Sequence, residues 1–274
     1  MRLSAEKPIG YASIIALSAL MIFPFVWMLS SSFKPFSEIF AGNTFLPEHP
    51  TLDNYRSLFE QNNAILKLWN SFYIASLATG ISVFLCALGG YAFAKFRFPG
   101  RALLFGSMLA SMALPFAVVM VPLFVMMRNL FHWIDTPWPL IIPGAANAFG
   151  IFFMRQYMLS VPDEMLDAAR VDGAGEFRIF WRIVLPTSVP GLVSLGIIFF
   201  MSSWNNFLWP LAILHSDSMQ TVPVMLNSLQ GPPGRTAFDV LMAGSVVSVL
   251  PMLLVFLLLQ RRLVAGITSG AIKG

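Results

Sequence analysis

The sequence predicts an all-α integral membrane protein with six transmembrane helices. Its 274 residues are 57% hydrophobic and only 11% charged, where a soluble domain carries roughly 25% charged residues. Six intervals hold no Asp, Glu, Lys or Arg: 8–33, 68–94, 102–127, 136–154, 183–216 and 240–260. About 20 apolar residues in a helix cross a hydrocarbon core of roughly 30 Å. Unpaired backbone groups cannot face lipid, so a span is a helix or part of a closed barrel. These runs lack the alternating polarity of barrel strands. The composition excludes an ordinary cytosolic enzyme, a disordered chain and a nucleic-acid-binding domain. The one cysteine, Cys86, excludes a disulfide framework and a thiolate metal cluster within the chain.

The expected helices are 9–30, 70–94, 102–127, 137–157, 189–214 and 238–260, in a single domain over 1–274. The first follows Arg2 and Lys7, like a signal peptide. Its apolar run is longer than an h-region of about 7–15 residues and no A-x-A-like site follows, so it reads as a retained span. The second holds Cys86 as a small apolar filler. The third carries Ser107, Ser111, Pro115 and Pro122. The fourth carries Pro143, Asn147 and Gln156. The fifth contains Ser202-Ser203-Trp204-Asn205-Asn206, then Phe207, Trp209 and Pro210. Prolines inside spans remove backbone hydrogen bonds and kink helices.

Six crossings place both termini on one side. Twelve Lys and Arg residues fall on that side: Arg2, Lys7, Lys95, Arg97, Arg101, Arg155, Arg170, Arg178, Arg182, Arg261, Arg262 and Lys273. Five fall on the other: Lys34, Arg56, Lys67, Arg128 and Arg235. The positive-inside rule assigns both termini to the cytoplasm and the chain to the cytoplasmic membrane. The pI near 9.5 therefore reports topology.

No span holds an ionisable residue in its middle, which argues against an ion-coupled carrier. There is no G-x-x-x-x-G-K-[ST] loop. Energy for active transport would have to come from another polypeptide. His49, His132 and His215 lie in loops without metal-ligand spacing, and no catalytic constellation converges in any span. The expectation is a protein that is not an enzyme, with no cofactor and no metal. Trp204 beside Asn205 and Asn206, with Asn147 in the fourth span, suits a sugar pathway: apolar sugar faces stack on rings and hydroxyls bond amides. Interhelical hydrogen bonding is the other reading of these amides.

The loop 158–188 is the most specific segment. Pro162 suits a first helical position, and Asp163 and Glu164 favour the positive helix end. Asp172-Gly173 reads as a turn with positive φ at the glycine. A second helix follows with Phe177, Phe180, Trp181 and Val184 as its apolar stripe, ending at Pro186. The loop is a helix-turn-helix.

Its residues Asp167-Ala168-Ala169, three residues, Gly173, nine residues, Ile183-Val184-Leu185-Pro186 resemble the signature of ABC importer permeases, E-A-A, three residues, G, nine residues, I-x-L-P. Asp167 replaces Glu, which shortens the carboxylate's reach. Trp204-Asn205-Asn206-Phe207 is similar to the W-N-x-F segment of sugar importer permeases, and the tail from Gln260 through Gly266, Gly270, Lys273 and Gly274 resembles their C-terminal end. The resemblance covers the whole chain and the maltose-, trehalose- or glycerol-phosphate-type importers.

It implies a heterodimer with a second homologous permease subunit, two ATP-binding subunits that hold ATP and Mg, and an extracytoplasmic substrate-binding protein. It further implies a coupling helix docked in an ATPase cleft, with Glu164, Asp167, Ala168, Ala169, Asp172, Gly173, Leu185 and Pro186 as the docking unit. Gly266, Gly270 and Lys273 would be cytoplasmic tail contacts, and the loop 215–237 would face the binding protein. A permease for a polyol, a glycerol phosphodiester or a peptide is the neighbouring expectation. A channel-type protein without an ATPase belongs to a different class.

Overall fold

The computed structural model describes residues 6–41, 44–231 and 237–271. Among them, all regular structure is helical. The helices are α1 (Glu6–Ser31), α2 (Phe36–Ala41), α3 (Asp53–Glu60), α4 (Ala64–Lys95), α5 (Arg101–Ser111), α6 (Phe116–Asn129) and α7 (Trp138–Ile141). They continue as α8 (Ala148–Met158), α9 (Asp163–Val171), α10 (Glu176–Thr187), α11 (Val189–Trp204), α12 (Leu208–Ile213), α13 (Val222–Ser228) and α14 (Phe238–Ala271). One turn of α10, Phe180–Val184, is π-helical.

Among the described residues, three stretches are single helices long and apolar enough to cross a membrane: Gly10–Ser31, Ala64–Lys95 and Phe238–Leu258. Counting each bent pair as one span raises the number to five. The expected third span is such a pair: α5 and α6 meet at 99°. The chain breaks there because Pro115, with ψ 135°, caps α6 from an extended conformation. The expected fourth span is α7, an irregular segment around Pro143, and α8. The expected fifth separates into α11 and α12, because α11 ends at Trp204 and Asn205 caps it. A run without charge reports the solvent a segment tolerates; prolines and end caps decide whether it is one helix.

Close contacts divide the chain into two compact units. The first is Met1–Leu66 with Met225–Pro251. Here the Asn54 amide, on α3, donates to the carbonyl oxygens of Ser32 (2.9 Å) and Lys34 (2.8 Å), which ties the end of α1 to α3. Buried Lys34 donates to the Thr44 carbonyl at 2.5 Å.

The second unit is Lys67–Val224 with Met252–Gly274. Its core gathers Cys86 and Tyr91 of α4, Met154 and Met158 of α8, Leu166 of α9, Phe180 and Val184 of α10, and Leu195 of α11. Glycines let these helices approach. A β-carbon on Gly90 would lie 2.6 Å from Met154 Cβ and 2.8 Å from the Arg155 backbone nitrogen. One on Gly150 would lie 2.5 Å from Cys86 Sγ and 2.6 Å from Phe199. Close backbone approach through small residues is how helices associate in lipid, where the hydrophobic effect gives no drive.

One end of this unit is pinned by polar groups at the start of α4. Buried Lys67 pairs with Asp217 at 2.6 Å. The Asn70 amide donates to the Ser218 and Gln220 carbonyls at 2.8 and 3.1 Å, and the Val222 N–H donates to Ser71 Oγ at 2.7 Å. Asp135 accepts from the backbone N–H groups of His215 (3.0 Å) and Ser216 (2.9 Å) and from the Ser216 hydroxyl. The Ser216 hydroxyl, then its N–H, hold the Asp135 carboxyl below the usual carboxylate range.

Candidate functional site: a docking loop and a polar cleft

The loop after α8 builds a rigid unit from short-range rules. Lys95 closes α4 and holds the loop's entry, donating to the Val161 carbonyl (2.6 Å) and to Asp163 (2.7 Å). That hydrogen bond and charge keep the exposed Asp163 carboxyl below its usual range. Pro162 is extended at the start of α9, and Asp163 and Glu164 occupy its first turn. At the other end Gly173 takes φ +79°. Its N–H donates to the Arg170 carbonyl at 3.0 Å, and the Ala174 N–H donates to the Ala169 carbonyl at 2.9 Å. These two bonds form a Schellman cap, with Ala169 and Ala174 as its apolar closure against the core.

Leu166 anchors the inner face of α9, at 1% exposure. Glu164, Met165, Asp167 and Ala168 lie exposed on α9, and Asp172 is exposed beyond it. Asp167 accepts from Arg170 at 2.6 Å within the same helix. Arg170 also donates to Glu176 at 2.7 Å, and Glu176 accepts from the Tyr91 hydroxyl of α4 at 2.8 Å. A chain of four side chains thus runs from the exposed face of α9 to a transmembrane helix. Hydrogen bonds to charged groups are the stronger kind. Sequence reading missed Arg170, Glu176, Tyr91 and Lys95. The signal it had was local: a lone cation late in α9, with acids three residues before and six after.

The expected stripe of α10 is corrected. Phe180 and Val184 are buried, and Ile179 joins them at 1% exposure. Phe177 and Trp181 stand 65% and 47% exposed. The buried face of α10 is centred on Ile179, Phe180 and Val184, beside the drawn stripe, and Phe177 and Trp181 sit together at its exposed edge with ring centroids 6.2 Å apart. Trp181 stacks on Phe84 of α4, with ring centroids 5.8 Å apart. Leu185 packs against the core, while Pro186 is exposed.

The polar residues of the expected pathway separate. Trp204 is buried with Phe200 and Ala75. Asn205 sits at the end of α11, exposed, and donates to the Met201 carbonyl at 2.9 Å. Asn206 turns to a cleft of about 380 Å³ that Asn147 also lines. Thr79 and Ser82 of α4 and Ser202 and Ser203 of α11 complete its polar wall. Asn147 is the N-cap of α8, accepting from the Gly150 N–H at 2.8 Å. The structure therefore brings Asn147 and Asn206 together and leaves Trp204 and Asn205 out. Thr79 and Ser82 went unnoticed in the sequence, though hydroxyls three residues apart in an apolar helix mark one face. Gly266 and Gly270 lie in the last part of α14. Lys273 and residues 232–236 of the expected loop 215–237 lie outside the described residues.

Residues 84–269 match the family model described as "Binding-protein-dependent transport system inner membrane component". The arabinooligosaccharides transport system permease protein AraQ of Halalkalibacterium halodurans is 36% identical over 97% of this chain and 95% of its own length. The lactose transport system permease protein LacG of Rhizobium radiobacter is 35% identical, over 95% of this chain and 94% of its own. The trehalose transport system permease protein SugB of Mycobacterium tuberculosis is 34% identical, over 92% and 93%. In fold, the chain is similar to one in a bacterial ABC transporter involved in the import of the acidic polysaccharide alginate. That match has a TM-score of 0.83 and 22% identity, and covers 95% of this chain and 98% of that one. The chain belongs to the family of inner-membrane components of binding-protein-dependent transport systems.

Proposed function

We propose that this chain is a permease subunit of an ATP-driven, binding-protein-dependent importer that moves a sugar or sugar derivative across the cytoplasmic membrane. The observation that carries the reading is the Schellman-capped α9, exposed on one face and linked through Arg170 and Glu176 to Tyr91 of α4. A helix held this way transmits a push: when a docked ATPase moves α9, the charged chain and the buried Leu166 carry the displacement into the bundle. The relatives named for arabinooligosaccharides, lactose and trehalose support the carbohydrate.

In this reading the chain is one membrane domain, and the α5–α6, α7–α8 and α11–α12 segments complete six crossings with both termini cytoplasmic. Two ATP-binding subunits hold ATP and Mg and carry out hydrolysis; a second homologous permease completes the pathway; an external protein delivers the sugar. The loop 158–188 is the docking unit, and the tail with Gly266, Gly270 and Lys273 adds cytoplasmic contacts. The cleft of Asn147 and Asn206 is this subunit's share of the pathway. Its described lining has hydroxyls and amides and no ionisable side chain, which favours an uncharged solute over a glycerol phosphodiester.

The test is uptake into vesicles that hold the chain with its co-purified partners, using labelled neutral oligosaccharides and anionic sugars. ATP-dependent uptake of a neutral sugar is expected. A complex without an ATPase, or uptake independent of ATP, contradicts the proposal.

A further inference from the structure

We propose that a pocket between the α4–α5 turn and α8 seats the phosphate of an anionic phospholipid. The pocket has a volume of about 870 Å³ and shares no described lining residue with α9 or with the polar cleft. Three arginines from three places in the chain meet in it: Arg97 in the turn, Arg101 at the start of α5 and Arg155 on α8. No carboxylate is among its described lining residues. The Asp163 carboxylate, on which the Arg97 charge also acts, is engaged by Lys95 at 2.7 Å.

The cations are held in place by the fold. Arg155 Nε donates to the Phe93 carbonyl at 3.2 Å, and its guanidinium lies 4.5 Å from the centre of the Phe105 ring. Arg101 donates one N–H to the Phe96 carbonyl at 3.0 Å. A guanidinium has five N–H donors, so both retain donors, and their planar fork matches phosphate oxygens. Three like charges with no carboxylate among the described lining residues repel one another, and an anion in the pocket relieves that.

The walls decide which anion. Phe98, Phe105 and Leu103 line the pocket, and Leu103 is 77% exposed on a helix of a membrane-embedded chain. Apolar walls beside a cationic floor fit a headgroup phosphate with its acyl chains better than a free phosphate ion. Basic pockets at the cytoplasmic ends of transmembrane helices take such headgroups.

The test is native mass spectrometry of the full-length protein released from detergent, with phosphatidylglycerol, phosphatidylcholine or inorganic phosphate added. Retention of phosphatidylglycerol should exceed that of phosphatidylcholine by roughly tenfold or more. Arg97→Gln and Arg101→Gln should each cut that preference severalfold. Arg178→Gln with Arg182→Gln, cations of α10 outside the pocket, should leave it unchanged. Arg97 is exposed, so its variant keeps the test readable if the fold does not tolerate the Arg101 change. Equal retention of the two lipids, an Arg97→Gln protein with full preference, or displacement of the lipid by millimolar phosphate overturns the proposal.

Discussion

Gly173 shows how much one residue decides. Its φ of +79° costs a residue with a β-carbon about 1–2 kcal/mol. A β-carbon there would meet nothing within 4 Å, so the cost is backbone strain alone. Loss of ATP-coupled uptake should therefore follow left-handed tolerance: Asn least, Ala more, Val most. Copurified ATPase and vesicle uptake, measured together, check the order; equal damage from all three points to crowding at the docked partner instead. Asn205 and Asn206 differ as sharply. Asn206→Leu removes a donor from the cleft, at roughly 0.5–1.5 kcal/mol, about twofold to tenfold in sugar binding. Asn205→Leu should leave uptake near the parent level. Equal losses from the two would contradict the assignment of the cleft. The helix α11 ends at Trp204, so Asn205 and Asn206 follow a turning backbone and the three residues do not share one face.

At the scale of elements, the long helices α4 and α14 were legible because a charge-free run and an unbroken helix coincide there. The breaks between α5 and α6 and between α11 and α12 were not, since backbone direction is set by Pro115 and the Asn205 cap. The cleft draws on α4, α8 and α11, and no local window holds all three. Packing of α4 on α8 gives a matched pair of variants. Gly90→Ala pushes a methyl into the Met154 and Arg155 backbone and should cost about 1–3 kcal/mol. Gly80→Ala, in the same helix with nothing within 4 Å, should be neutral or gain up to about 1 kcal/mol. Thermal unfolding of the purified protein compares them. The segment after α12 should depend on pH through Asp135. The Asp135 carboxyl is depressed when folded, so its contribution is complete above the unfolded value of about 3.9 and lost as pH falls through the lower folded value. Resistance of residues 213–222 to proteolysis should hold from neutral pH to about 5 and fall in stronger acid. Asp135→Asn should lack that protection already at neutral pH; a variant as resistant as the parent would show the carboxylate to be dispensable.

For the whole molecule, composition and signature spacing were enough to indicate the class, because lipid forbids charge and a capped loop needs its glycine at a fixed place. The mechanical linkage was not legible, since Tyr91 meets Glu176 only after folding. The central claim is that the exposed face of α9 receives the ATPase. A cysteine at Ala168, exposed on that face, tests it by cross-linking in the assembled complex, with Leu103→Cys on α5 as the comparison. Native Cys86 is buried and should stay silent. The expected result is an adduct with the ATP-binding subunit from position 168 and none from position 103. An ATPase that copurifies fully yet never links to position 168 would contradict the claim.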